Sequence, residues 1–196
     1  MAGTRWLNDE EHAAWRGLQR MQLQLSAKLN RQLTEEAGLS LPDYGVLVAL
    51  SEHRDGRMRA FELGRELGWE KSRLSHHISR MAERGLVKRE KCASDQRGAF
   101  VAITGKGRKA ITEAAPGHVA AVRRWFVDLL TPAQLRALAA VGDTVVDALV
   151  RECQAEEVED GGGLGAEHEA GAVARTEAGT ERRRIVRAPN QRNLRS

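Results

Sequence analysis

Four residues, Ser72, His76, Ser79 and Arg80, recur at a spacing that gathers them on one side of a helix, while Leu74, Ile78 and Met81 fall on the other at 100° per residue. Hydroxyls, an imidazole and a guanidinium along one outer face suit the edges of base pairs. Ser adapts to donors or acceptors, Arg reads guanine, and His meets a base or a phosphate. The competing reading is an ordinary amphipathic helix whose polar side faces solvent. Charge argues for the first. Between Arg57 and Lys109 stand 14 basic residues against 6 acidic, whereas the flanks 1–56 and 110–153 together hold 10 basic and 13 acidic. A basic block inside a chain whose net charge is only +4 points to a polyanion, because neutralising phosphates releases counterions.

Other chemistries lack their residues. There is no HExxH or GxSxG, and GKGRK at 105–109 has neither the spacing nor the Lys-Ser/Thr of a P-loop, so no enzyme is expected. The histidines at 12, 53, 76, 77, 118 and 168 form no ligand-spaced pair, and Cys92 and Cys153 make no CxxC, so neither a metal nor any other cofactor is expected. Cys92 lies beside Lys88, Arg89 and Lys91, a setting that lowers a thiol pKa; an incidental thiol is the plainer account.

The elements that must position the basic face follow from periodicity. Over 9–36, Trp15, Leu18, Met21, Leu25, Leu29 and Leu33 recur at helical spacing, with Gly38 as the stop. A helix of about 28 residues is ~42 Å long, more than a core of this size covers, so part of its stripe is expected to meet a second subunit. Ser40 to Asp43 starts a short helix ending near His53, and 54–57 reads as a turn. Two more helices, around Ala60–Leu67 and Leu74–Ala82, flank Gly68-Trp69-Glu70. The β-type runs 86–90 and 99–103 then form a two-stranded hairpin. Thr104 caps a helix to about Leu130, bent at Pro116, and Thr131 to Gln134 caps the last one. After Cys153 the chain is poor in large apolar residues and rich in Gly and charge, which predicts disorder. The chain of 196 residues contains no run of ~20 apolar residues, and its N-terminus has no signal-peptide core, so a cytoplasmic protein with no membrane partner is expected.

Helix, turn, helix and basic hairpin is the order of a winged helix-turn-helix. The residues FELGREL (61–67), KSRLSHHISRM (71–81), RGLV (84–87) with Arg89, Asp95-Gln96-Arg97 and ITGKG (103–107) resemble the MarR-type transcriptional regulators over about residues 10–153. The fold expected is mostly α, a winged helix-turn-helix with a two-stranded β-wing and a helical dimerisation region built from the N- and C-terminal helices. Its parts are a dimerisation helix (1–39), a DNA-binding domain (40–103), C-terminal dimerisation helices (104–153) and a tail (154–196). The resemblance implies a homodimer on double-stranded DNA, with Asp95 bracing the wing and Arg97 entering a minor groove. The candidate DNA-binding residues are Ser72, Arg73, Ser75, His76, Ser79, Arg80, Lys88, Arg89, Asp95 and Arg97. The resemblance also implies a pocket between the dimerisation and DNA-binding parts for a small aromatic or phenolic ligand, with Trp15 and His53 as lining candidates. The function expected is a ligand-responsive repressor on a palindromic operator. The alternative is a ligand-unresponsive architectural or nonspecific DNA-binding protein.

Overall fold

Asn8 opens the first helix by a reciprocal cap: its side chain accepts from Glu11 N–H, and the Glu11 carboxylate accepts from Asn8 N–H, each at 2.9 Å. The computed structural model describes residues 3–91 and 99–160. From Asn8 the chain runs as α1 (Asp9–Ala37), which ends on Gly38 in the left-handed conformation, and α2 (Leu41–Glu52), opened by a second such cap between Ser40 and Asp43. Then come β1 (Arg57–Arg59), α3 (Ala60–Leu67), α4 (Lys71–Glu83), β2 (Val87–Lys91), β3 (Ala99–Ile103) and α5 (Gly105–Trp125). A short 3-10 turn (Val127–Leu129) and α6 (Pro132–Asp160) follow. The described chain divides into one unit ending at Phe126 and a second beginning at Val127.

The core of the first unit gathers Leu33 and Leu39, the middle of α2 from Tyr44 to Leu50, Leu63 of α3, Leu74, Ile78 and Met81 of α4, and Val87, Val101 and Ile103 of the sheet, with Ile111 of α5 closing it. Three strands in the order β1-β3-β2, all antiparallel, make that sheet. The two-stranded hairpin expected from the sequence is present as β2 and β3, and the turn expected over 54–57 leads directly into a third strand, β1, that begins at Arg57. A lone apolar residue, Met58, between two arginines carries no visible alternation. It becomes a strand because β3 offers an unpaired edge, pairing Met58 with Val101.

Two further boundaries differ from the expectation. The helix begun at Thr104 stops at Trp125 rather than Leu130, with Pro116 inside it. The last helix continues to Asp160, past the expected start of the tail at 154. The rest of that tail lies outside the described residues, as do Cys92, Asp95 and Arg97. Among the described residues no helix is long and apolar enough to cross a membrane.

Candidate nucleic-acid interface

The recognition candidate, α4, has the sidedness its sequence implies. Leu74, Ile78 and Met81 are buried; Ser72, Arg73, Ser75, His76 and Arg80 are exposed, and Ser79 is half-buried. The buried side also includes His77, three positions after Leu74 and four before Met81. That spacing was visible in the sequence; what it does is visible only in space.

His77 Nε2 lies 3.0 Å from Oδ1 of Asp43, a carboxylate with 5% of its side chain exposed. Arg84, just past the end of α4, donates to Asp43 Oδ2 at 2.7 Å and to the Gly38 carbonyl at 2.6 Å. One carboxylate therefore caps α2 and holds α4 both at its middle and at its end, while Arg84 reaches the close of α1. Burial pushes the Asp43 carboxyl up. Hydrogen bonds from His77, Ser40 and Arg84 outweigh burial and hold it well below the ordinary carboxylate range. Arg80, placed on the outer face by the wheel, turns its Nη2 to within 3.2 Å of His77 Nδ1. An arginine N–H can only donate, so Nδ1 accepts and the ring proton belongs on Nε2, toward Asp43. Asp43 was legible in the sequence as a helix cap and nothing more.

Trp69, in the turn before α4, stands between two of these side chains: Arg73 lies over its ring at 4.7 Å from the centroid, and His77 meets it edge-on at 5.1 Å.

The sheet sorts the wing cations onto two faces. Successive side chains alternate, and the register puts Arg57, Arg59, Phe100, Lys88 and Glu90 on the outer face and Met58, Val101 and Arg89 on the inner one. On the outer face, Arg57 and Arg59 lie over the Phe100 ring at 5.1 and 5.3 Å. Glu90 accepts from Lys88 at 2.8 Å and Arg57 at 3.3 Å, which lower its carboxyl in that order. Arg89 leaves the inner face for α4, where its Nη2 donates to the Ser75 carbonyl at 2.8 Å, Ser79 Oγ at 3.0 Å and Ser75 Oγ at 3.2 Å. The structure thus joins Arg89, Ser75 and Ser79 into one cluster and places Lys88 on the opposite side of its strand.

Trp15 is 51% exposed on α1, and His53 is exposed at the end of α2, where it opposes the effect of burial in raising the Glu66 carboxyl. Sequence reasoning missed a different cluster, where α1, α2 and α5 pack. Gln32 Oε1, Tyr44 OH and His118 Nδ1 are buried there with no hydrogen-bond partner among the described residues, the Tyr44 and His118 rings lying 4.3 Å apart. Burial, then Glu52, pushes the Tyr44 hydroxyl up to about 12, and burial lowers His118, so both are neutral near pH 7. The helices meet closely because Gly117 leaves room: a Cβ there would stand 2.7 Å from Glu36 Oε2.

Comparison with known proteins agrees with this geometry. The sequence profile of the MarR family matches residues 37–98. The MarR family regulator AbsC from Streptomyces coelicolor is 42% identical, with a TM-score of 0.70 over 74% of this chain and 98% of that one. Sco3205, a MarR family regulator from the same organism solved in complex with DNA, is 39% identical, with a TM-score of 0.72 over 76% of this chain and 93% of that one. CouR from Rhodococcus jostii RHA1, solved with p-coumaroyl-CoA, is 25% identical, with a TM-score of 0.58 over 65% of this chain and 87% of that one. No curated protein sequence matches. A winged fold with an exposed polar helix and a basic sheet, matched along nearly the whole length of AbsC, places this chain in the MarR family of transcriptional regulators.

Proposed function

We propose that the protein is a homodimeric, cytoplasmic repressor that binds a palindromic operator in double-stranded DNA through α4 and the wing, and that a small aromatic or phenolic molecule releases it. The observation that carries the reading is the exposure of Ser72, Arg73 and His76 along α4, opposite a fully buried apolar side and within the basic block. Sco3205, similar over most of its length, is a relative solved on DNA. Dimerisation is supported by apolar residues left exposed on the two long helices, Trp15, Leu18 and Met21 on α1 and Val141, Val145 and Leu149 on α6. The division into a DNA-binding domain over 40–103 with dimerisation helices on either side belongs to the same reading.

Footprinting tests it. One protected palindrome is expected, whereas coverage that simply lengthens with the DNA would favour an architectural protein. Ser72→Ala, His76→Ala and Arg97→Ala should each weaken operator binding, by ~1–3 kcal/mol for a base contact. Arg97→Ala should also make the dependence of affinity on salt shallower by about one unit of log–log slope. Unchanged affinity in all three would sink the assignment.

Release by a ligand is supported by the Gln32, Tyr44 and His118 cluster, where an incoming hydroxyl would donate to Gln32 Oε1 and an incoming hydroxyl or carboxylate oxygen would accept from Tyr44 OH. Tyr44→Phe is expected to leave unfolding in urea within about 1 kcal/mol of wild type, since the hydroxyl it deletes has no partner among the described residues. In a thermal-shift screen of phenols, the same variant should lose the stabilisation seen with wild type. Retained stabilisation would move the ligand elsewhere.

A further inference from the structure

We infer that Ser75 and Ser79 are positioning residues for Arg89, which they hold against α4 so that it meets a DNA phosphate. The inference rests on α4 being the DNA-facing helix. Ser79 Oγ has one proton, and it is spent on the Ser75 carbonyl at 3.0 Å, one turn back along the helix. Its lone pair faces Arg89 Nη2 at 3.0 Å. A half-buried hydroxyl with its proton committed has no donor for a base edge. Ser75 offers Arg89 two acceptors, the carbonyl at 2.8 Å and Oγ at 3.2 Å, so one guanidinium nitrogen is held by three oxygens on a single helical turn.

Such a seat fixes a side chain that otherwise has several rotatable bonds, and ordering it before DNA arrives removes that entropic cost from binding. Three N–H groups, on Nη1 and Nε, remain to face an incoming acceptor. A guanidinium borne by the wing and lying along the outer turn of α4 suits a phosphate flanking the groove that α4 would occupy. Lys88, one residue earlier, points from the other face of the strand toward Glu90 and cannot share this seat.

A double-mutant cycle on the full-length protein and its footprinted operator tests the inference, with a scrambled duplex as control. Arg89→Ala should weaken operator binding about tenfold and lower the salt slope by about one. The Ser75→Ala/Ser79→Ala pair should weaken it several-fold in the wild-type background and leave it unchanged in the Arg89→Ala background. Ser79→Thr, which keeps the hydroxyl, should retain binding. Alanine is favoured in a helix, so the paired variant should unfold no earlier than wild type; an affinity loss without a stability loss is what a merely structural strut would not produce. Losses that multiply across the cycle would mean the serines contact DNA independently and would overturn the inference. So would an Arg89→Ala variant that binds normally while His76→Ala is weakened, a result that leaves the DNA-facing role of α4 standing. If His76→Ala and Arg89→Ala are both silent, that role fails as well.

Discussion

Asp43→Ala should lower stability by about 3–5 kcal/mol, the usual cost of removing one partner from a buried ionic contact, and should bring thermal unfolding down by roughly 10 °C in a chain of this size. The carboxylate serves three partners on separate parts of the chain. Without it the Ser40 N–H, held at 2.9 Å, loses the reciprocal half of its cap; His77 Nε2 is left buried with nothing opposite; and Arg84 keeps only the Gly38 carbonyl. Because His77 and Arg84 fix the middle and the end of α4, operator affinity should fall further than affinity for a scrambled duplex. Asp43→Asn keeps the shape and should recover part of the stability.

The pH dependence has a definite sign. Hydrogen bonds from His77, Ser40 and Arg84 overcome the effect of burial and hold the folded carboxyl below its unfolded value of about 3.9, so the unfolded chain binds the proton more readily. The contribution of Asp43 is therefore complete above that value and is lost as pH falls from about 4 toward the lower folded pKa. Urea unfolding at pH 7 and pH 3 should show a gap between wild type and Asp43→Ala that narrows in acid. A gap of constant size would mean the carboxylate is not the titrating group.

Gly107→Ala should be nearly as damaging, while Gly105→Ala, two residues earlier, should be tolerated. A Cβ on Gly107 would run into the Leu86 carbonyl oxygen and stand 2.9 Å from Ile103 Cγ1. The oxygen is backbone, and it already accepts from Thr104 N–H at 3.1 Å. Moving it breaks the junction between the end of α4, the start of β2 and the first turn of α5, at a cost of about 3 kcal/mol. Among the described residues nothing lies within 4 Å of the corresponding position at Gly105, so alanine there should be neutral or stabilising by up to about 1 kcal/mol. Equal stability of the two variants, by calorimetry or urea, would contradict the packing described at Leu86.

Those two glycines mark where sequence reading stops. Both sit in the ITGKG segment that resembles the family, and their neighbours along the chain look alike; only the approach of Leu86 separates them. What the sequence determined by itself was whatever is local or periodic. The reciprocal caps at Ser40 and Thr131, the helices around α4, the buried side of Leu74, Ile78 and Met81, and the concentration of charge between 57 and 109 can all be read from residue type and spacing over one or two turns. Tertiary structure decided which polar groups meet. Asp43 and Arg84 are 41 residues apart and Ser75 and Arg89 are 14 apart, and no periodicity links them. A helical wheel also treats every outward side chain as equally free, so it could not tell His76, which faces out, from Arg80, which bends back to His77, or from Ser79, which is committed to Arg89. Strand β1 was hidden for the same reason: three residues with one apolar side chain hold no pattern of their own, and they become a strand only where the edge of β3 supplies the other half of their hydrogen bonds.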